Sequence, residues 1–162
     1  MELLRAGDTR AAGVMASNDR RAFRLLLARL WDPDPVIRER AARTVGRVAA
    51  LRPSLGLEVV RRLIWALNDE AATNGIHGIA ALAAIGVERP ALLRAHLGAI
   101  VALLGDPGLR EEVLRALEVL AQASPELIGS HRDELATWME TLDEESSRRL
   151  AALLAPREGR LS

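Results

Sequence analysis

The chain has 162 residues, of which 49% are apolar, 27% charged and 2% aromatic, the proportions of one folded domain rather than a disordered tail. It holds no cysteine, which excludes disulfides, thiolate metal sites and cysteine nucleophiles together. No uncharged apolar run reaches the roughly 18 residues of a membrane span, and the first residues do not read as a secretory leader, so a cytoplasmic protein without membrane contact is expected.

The 22 basic and 22 acidic side chains cancel, leaving no global attraction to nucleic acid or anionic lipid. All the basic residues are arginine, and their distribution is uneven. Residues 1–65 carry 13 arginines against 7 carboxylates and residues 66–162 carry 9 against 15, so the molecule is a dipole along its sequence.

Apolar periodicity predicts helices near 9–17, 20–31, 36–50, 55–67, 73–86, 91–104, 109–123, 130–142 and 145–154. Residues 1–19 read as an N-terminal cap segment, and the rest divides into units near 20–53, 54–90, 91–125 and 130–154. In the first unit Phe23, Leu26, Leu27 and Leu30 share one helical face. Stepping by 37 residues gives Val60, Leu63, Ile64 and Leu67, then Leu97, Ile100, Val101 and Leu104, all apolar. The fourth unit repeats the pattern one residue late, as Leu135, Trp138, Met139 and Leu142, as an atypical terminal repeat does. Asp32, Asp69, Asp106 and Asp143 mark the turns at the same 37-residue step.

A second helix follows each aspartate. Ala42, Val45 and Ala49 map onto Ile79, Leu82 and Gly86, then onto Ala116, Val119 and Ala123. Such small residues suit close approach of a neighbouring backbone. Pro53, Pro90 and Pro125 are placed to open the following helices, because proline lacks the N–H that a first turn leaves unpaired. Ser54, Thr73 and Ser130 are candidate N-caps.

Residues 32–46 read Asp-Pro-Asp-Pro-Val-Ile-Arg-Glu-Arg-Ala-Ala-Arg-Thr-Val-Gly. This resembles the HEAT repeat, in the short HEAT-like form of phycobilisome lyases and many bacterial scaffold proteins. Asp32, Pro33, Arg38, Ala41, Ala42, Val45 and Gly46 fill its pattern. The third unit keeps Asp106, Pro107, Arg110, Ala116 and Val119, whereas the second departs at Asn68-Asp69-Glu70. The resemblance implies an all-α fold, a short right-handed α-α superhelix of about 3.5 helical-hairpin repeats. It also implies that turn aspartates and helix-start arginines tie neighbouring repeats. It does not fix a function, since such repeats serve adaptors, lyases and DNA glycosylases alike.

Candidate chemistry is sparse. His77, His96 and His131 never fall three or four residues apart, the spacing that would put two imidazoles on one helical face, so no metal and no cofactor is expected, and no catalytic residue is assigned. Asn68, Asp69, Glu70 and His77 gather in an irregular stretch and form a candidate polar cluster for partner binding. Arg40, Arg43 and Arg47 are the other candidates, on the polar face of the helix that carries Ala41 and Val45. Trp31 and Trp65 are expected to fill gaps between repeats. The expected role is a non-catalytic scaffold presenting a concave groove to a protein partner. Nucleic acid is not expected, and the chain is expected to be a monomer or to associate weakly head-to-tail. The alternative is an enzyme or accessory subunit, either chromophore-lyase-like or akin to a HEAT-like DNA glycosylase.

Overall fold

In the computed structural model, which describes residues 2–67 and 75–155, the described chain is entirely helical and contains no strand. Its α-helices are α1 (Glu2–Ala6), α2 (Thr9–Asn18), α3 (Arg20–Ala28), α4 (Pro35–Leu51), α5 (Pro53–Leu67) and α6 (Ile76–Glu88). They continue with α7 (Pro90–Arg94), α8 (Leu97–Ala102), α9 (Arg110–Ala123), α10 (Pro125–Gly129), α11 (Arg132–Met139) and α12 (Glu144–Leu154).

The helix starts follow from local chemistry. Proline opens α4, α5, α7 and α10, at the position where its missing N–H costs nothing. Asp8, Asp19, Asp34 and Asp143 cap α2, α3, α4 and α12 by accepting amide hydrogens from the first turn. The serine caps expected from the sequence are not made. Ser54 lies inside the first turn of α5, and Ser130 ends α10. Thr73 lies outside the described residues.

The evenly spaced aspartates do two different jobs. Asp32 and Asp106 each accept the amide of the second residue beyond, Asp34 at 3.1 Å and Gly108 at 2.8 Å, and so fold the turn itself. Asp143 is followed at once by its helix and caps it through Ser146. A 3-10 turn (Arg29–Trp31, Leu103–Gly105) precedes each of the first two.

Two predicted helices are interrupted. The one expected over 91–104 divides at Ala95–His96. The one expected over 130–142 starts earlier, at Pro125, and divides at Ser130–His131. Both breaks fall five residues after an opening proline, and the residue after the break, His96 or His131, sits at φ −117°, outside the helical range.

Long helices pack in sequence order, α2 on α4, α4 on α6, α6 on α9 and α9 on α12, with α4–α6 the most extensive contact. The other helices support this row: α3 packs on α2 and α4, α5 on α4 and α6, α7 on α6 and α5, and α10 on α9. The twelve apolar positions found at the 37-residue step are all buried or half-buried. Leu30, Leu97, Ile100 and Leu104 are essentially inaccessible, and each such side chain contributes about 1.5–3 kcal/mol through burial. The stripe on the second-row helices holds for Ala42, Val45 and Ala49 and for Ile79 and Leu82, but drifts in α9. There Leu117 and Leu120 are buried while Val119 is 46% exposed. The following proline comes two residues early, and α9 presents a rotated face.

One corner conformation recurs between the paired helices. Arg52, Arg89 and Ser124 sit at φ/ψ of −134°/81°, −144°/76° and −145°/71°, each with its N–H donating 2.7 Å to the carbonyl four residues back. The two arginines then reach back to the end of the preceding long helix. Arg52 donates to Ser17 O at 3.3 Å and Arg89 to Ala50 O at 2.9 Å. A guanidinium at a helix C-terminus satisfies orphan carbonyls and opposes the negative end of the dipole. At the far end Arg149 of α12 donates to Glu118 and Glu111 of α9, at 2.6 Å each.

The closest approach lies between α4 and α6. A Cβ on Gly46 would stand 2.6 Å from Ala84 O and 2.9 Å from its carbonyl carbon. Backbone cannot yield as a side-chain tip can. Gly46→Val is expected to destabilise the fold by about 2–3 kcal/mol in urea unfolding, whereas Gly129→Ala, where an added Cβ meets nothing within 4 Å, is expected to be neutral or to stabilise by up to about 1 kcal/mol.

Arg149→Met is expected to cost about 1–2 kcal/mol and to loosen α12 first, read as faster amide exchange over Glu144–Leu154. The hydrogen bond from Arg149 holds the Glu111 pKa below its ordinary 4.5. The pair's stabilisation is therefore present above about pH 4.5 and is lost as the pH falls further.

Candidate functional site

An open groove of about 750 Å³ is built on α4, α6 and α9. Its floor is α6. The helix is buried against α4 on one side and α9 on the other, through Ile79, Ala81, Leu82, Ala83 and Ile85. What remains for the groove is a strip of small and aliphatic side chains, Ile76, Ala80, Ala84 and Val87, with His77 at one end. The α4 wall carries Arg38, Glu39, Arg43 and Arg47, and the α9 wall Glu112, Arg115 and Val119.

Much of this charge is paired within the walls. Arg43 pairs with Glu39 one turn away on α4, and Arg115 bridges Glu111 and Glu112 on α9 at 2.8 and 3.4 Å. These i,i+3 and i,i+4 pairs are exposed and contribute little to stability. Arg47 donates through Nε to the Thr9 hydroxyl at 3.2 Å, linking the wall to α2. Arg38 donates back over its own turn, to Asp32 O at 2.7 Å and Pro33 O at 3.0 Å. Neither Arg38 nor Arg47 has a carboxylate partner among the described residues.

The sequence candidates are thus separated. His77, Arg43 and Arg47 share the groove. Arg40 does not, for its guanidinium caps the end of α1 through Leu4 O at 3.0 Å and Arg5 O at 2.6 Å. Asn68, Asp69 and Glu70 lie outside the described residues. Trp31 and Trp65 do not fill the core as expected. Trp31, at the end of the 3-10 turn Arg29–Trp31, is 38% exposed and Trp65, near the end of α5, is 70% exposed. Arg110 Nη1 lies 3.2 Å from Asp143 Oδ2 while its Nε donates to Leu104 O. Arg38 makes the corresponding bond to its own turn. The groove residues of α9 were not singled out from the sequence, where Val119 was read as one of the matched apolar positions. The Arg52 and Arg89 staples were also missed, although their 37-residue spacing was on the page.

No three His, Asp or Glu among the described residues converge as a metal site would require, and no described helix is long and apolar enough to cross a membrane. No family model matches the chain, and no curated protein is similar to it. One crystal structure, of an engineered protein from the Northeast Structural Genomics Consortium, is 20% identical over 90% of this chain and 70% of its own, at a TM-score of 0.42. That likeness is too loose to bear on fold or function.

Partial burial, with the Arg38 charge nearby, holds the His77 pKa below 6.5, while Glu112 across the groove pulls it upward. The fold therefore favours neutral imidazole, and this contribution to stability fades as the pH falls through 6.5. In an NMR titration Arg38→Ala is expected to raise the His77 midpoint and Glu112→Gln to lower it. Opposite shifts would mean that the two walls do not flank the ring as described.

Proposed function

We propose that the chain is a short right-handed α-α superhelix of about 3.5 HEAT-like repeats, serving as a non-catalytic cytoplasmic interaction module whose groove receives a segment of a protein partner. Support for the repeat reading comes from the recurring corner at Arg52, Arg89 and Ser124 and from the sequential packing of α2, α4, α6, α9 and α12. Stacked hairpins leave one continuous face along their inner helices, with side chains that vary over a fixed core.

The observation that carries the function is the composition of the groove. An apolar strip a helix long lies between two charged walls, on which Arg43 and Arg115 are paired along their own helices and Arg38 and Arg47 add positive charge. Such a surface suits an amphipathic protein segment, whose apolar side would cover Ala80, Ala84 and Val87 and whose polar side would meet the rims. A nucleic-acid strand would call for a continuous cationic track, whereas on these walls Arg43 and Arg115 are paired with glutamates of their own helices and Glu39 and Glu112 stand among the arginines.

Ala80 and Val119 are exposed in the groove, so charging them leaves the core intact. A protein recovered from the source cells by the wild type and lost with Ala80→Glu/Val119→Glu is the expected result. Recovery by both forms would remove the groove from the function.

The enzyme reading draws on the same place, where His77 and Glu112 face one another across a partly apolar cleft. His77→Ala and Glu112→Gln that weaken partner capture would assign those groups to binding.

A further inference from the structure

A second concavity, formed by different helices, opens between α3 and α5. It holds about 350 Å³ and is lined by Arg24, Leu27, Ala28 and Trp31 on one side and by Val59, Arg62 and Leu63 on the other. Val59 and Leu63 are buried and Leu27 half-buried, which gives the cleft an apolar floor. Trp31, 38% exposed, stands at the end of α3. Arg24 and Arg62 are exposed on the two lips, and no described carboxylate pairs with either.

These arginines differ from six others that take part in holding the fold. Arg29, Arg40, Arg52, Arg89, Arg110 and Arg149 all donate to carbonyls or carboxylates that hold helices together. Arg24 and Arg62 make no such bond, so nothing in the fold accounts for them. Arg20, one turn before Arg24 on the same helix face, and Arg61, beside Arg62, add to the cationic field, and Glu58 is the one acid within α3 and α5. This is also the basic end of the sequence dipole.

We infer that the α3–α5 cleft docks an acidic segment of a partner protein. One aliphatic or aromatic side chain enters between Leu27, Val59 and Leu63, and carboxylates on either side of it reach Arg24 and Arg62. Charge complementarity fixes the sign of the partner, and the short apolar floor fixes its kind. A cleft with a single cation on each lip matches one apolar side chain flanked by acids. A nucleic-acid strand is held instead by a continuous cationic track with several aromatic platforms, and here Trp31 is the one aromatic lining the cleft. The inference is independent of the α4–α6–α9 groove.

The test uses the full chain and a short fluorescein-labelled peptide in which a phenylalanine and a leucine are flanked by glutamates, followed by anisotropy at low salt. Saturable binding is expected, weakened about tenfold by R24E/R62E and by an intermediate factor in R24Q/R62Q. Binding should also be weakened when the peptide's glutamates become glutamines, and should be unchanged in Ala80→Glu. Because both arginines are exposed, the circular dichroism spectrum and Tm of the variants should match the wild type. Failure of the wild type to bind, or equal binding by R24E/R62E, overturns the inference. Displacement of the peptide by an equal concentration of single-stranded oligonucleotide would reassign the cleft to nucleic acid. Low-salt dimers that R24E/R62E returns to monomer in sedimentation would reassign it to the acidic end of a second copy. Because Ala80→Glu reports on the groove alone, the two sites can fail separately.

Discussion

The approach of α4 to α6 at Gly46 and Ala84 is the constraint from which the rest of the structure follows. Two helices this close have no room for side chains between their backbones, so the contact consists of glycine and alanine. Interiors packed this densely do not deform gradually. Once α4 is seated, α6 must present Ile79, Leu82 and Ile85 to the remaining space, and α9 closes over them. The residue types that permit the contact also leave the outward strip of α6 low. Ala80 and Ala84 cannot fill the space between the α4 and α9 walls, and the groove is the volume left over. Stability and the candidate site therefore have one origin.

Arginine performs a second structural task that its abundance on the surface conceals. The ends of the long helices leave carbonyls without intrahelical partners. Arg40, Arg52 and Arg89 supply donors to three such ends, each from a neighbouring helix pair. The planar guanidinium offers several donors in a fixed fork, so a single side chain can satisfy two successive carbonyls, as Arg40 does at Leu4 and Arg5. What distinguishes the lips of the α3–α5 cleft is that Arg24 and Arg62 take no part in this system. The two concavities thus differ in character: the groove is apolar between walls that mix paired and unpaired charges, and the cleft is apolar between cations without a described carboxylate.

Much of this was legible in the amino-acid order. Phe23, Leu30, Val60, Leu97 and Leu104 announce themselves by helical spacing, and the prolines mark four helix starts, because both signals are local and depend on the backbone alone. The division at Ala95–His96 was not legible, since the apolar spacing continues through it, and the short helix Pro125–Gly129 ahead of the boundary expected near Ser130 was likewise not read. The positions of Trp31 and Trp65 were misread for a related reason. Spacing tells which residues share a face, but not whether another helix covers it.

The sequence by itself determined that the chain is helical, that twelve apolar positions at a 37-residue step face the interior and that small residues crowd α4 and α6. Those properties follow from periodicity and side-chain volume, which need no partner element. Only the tertiary structure decided that Arg40 ties down α1 while Arg43 and Arg47 line a groove, and that Val119 turns outward. It likewise decided that His77 lies between Arg38 and Glu112. Which side chains share a space depends on how each helix is rotated against its neighbours, and that rotation is set by contacts such as Gly46 on Ala84, between residues far apart in the chain.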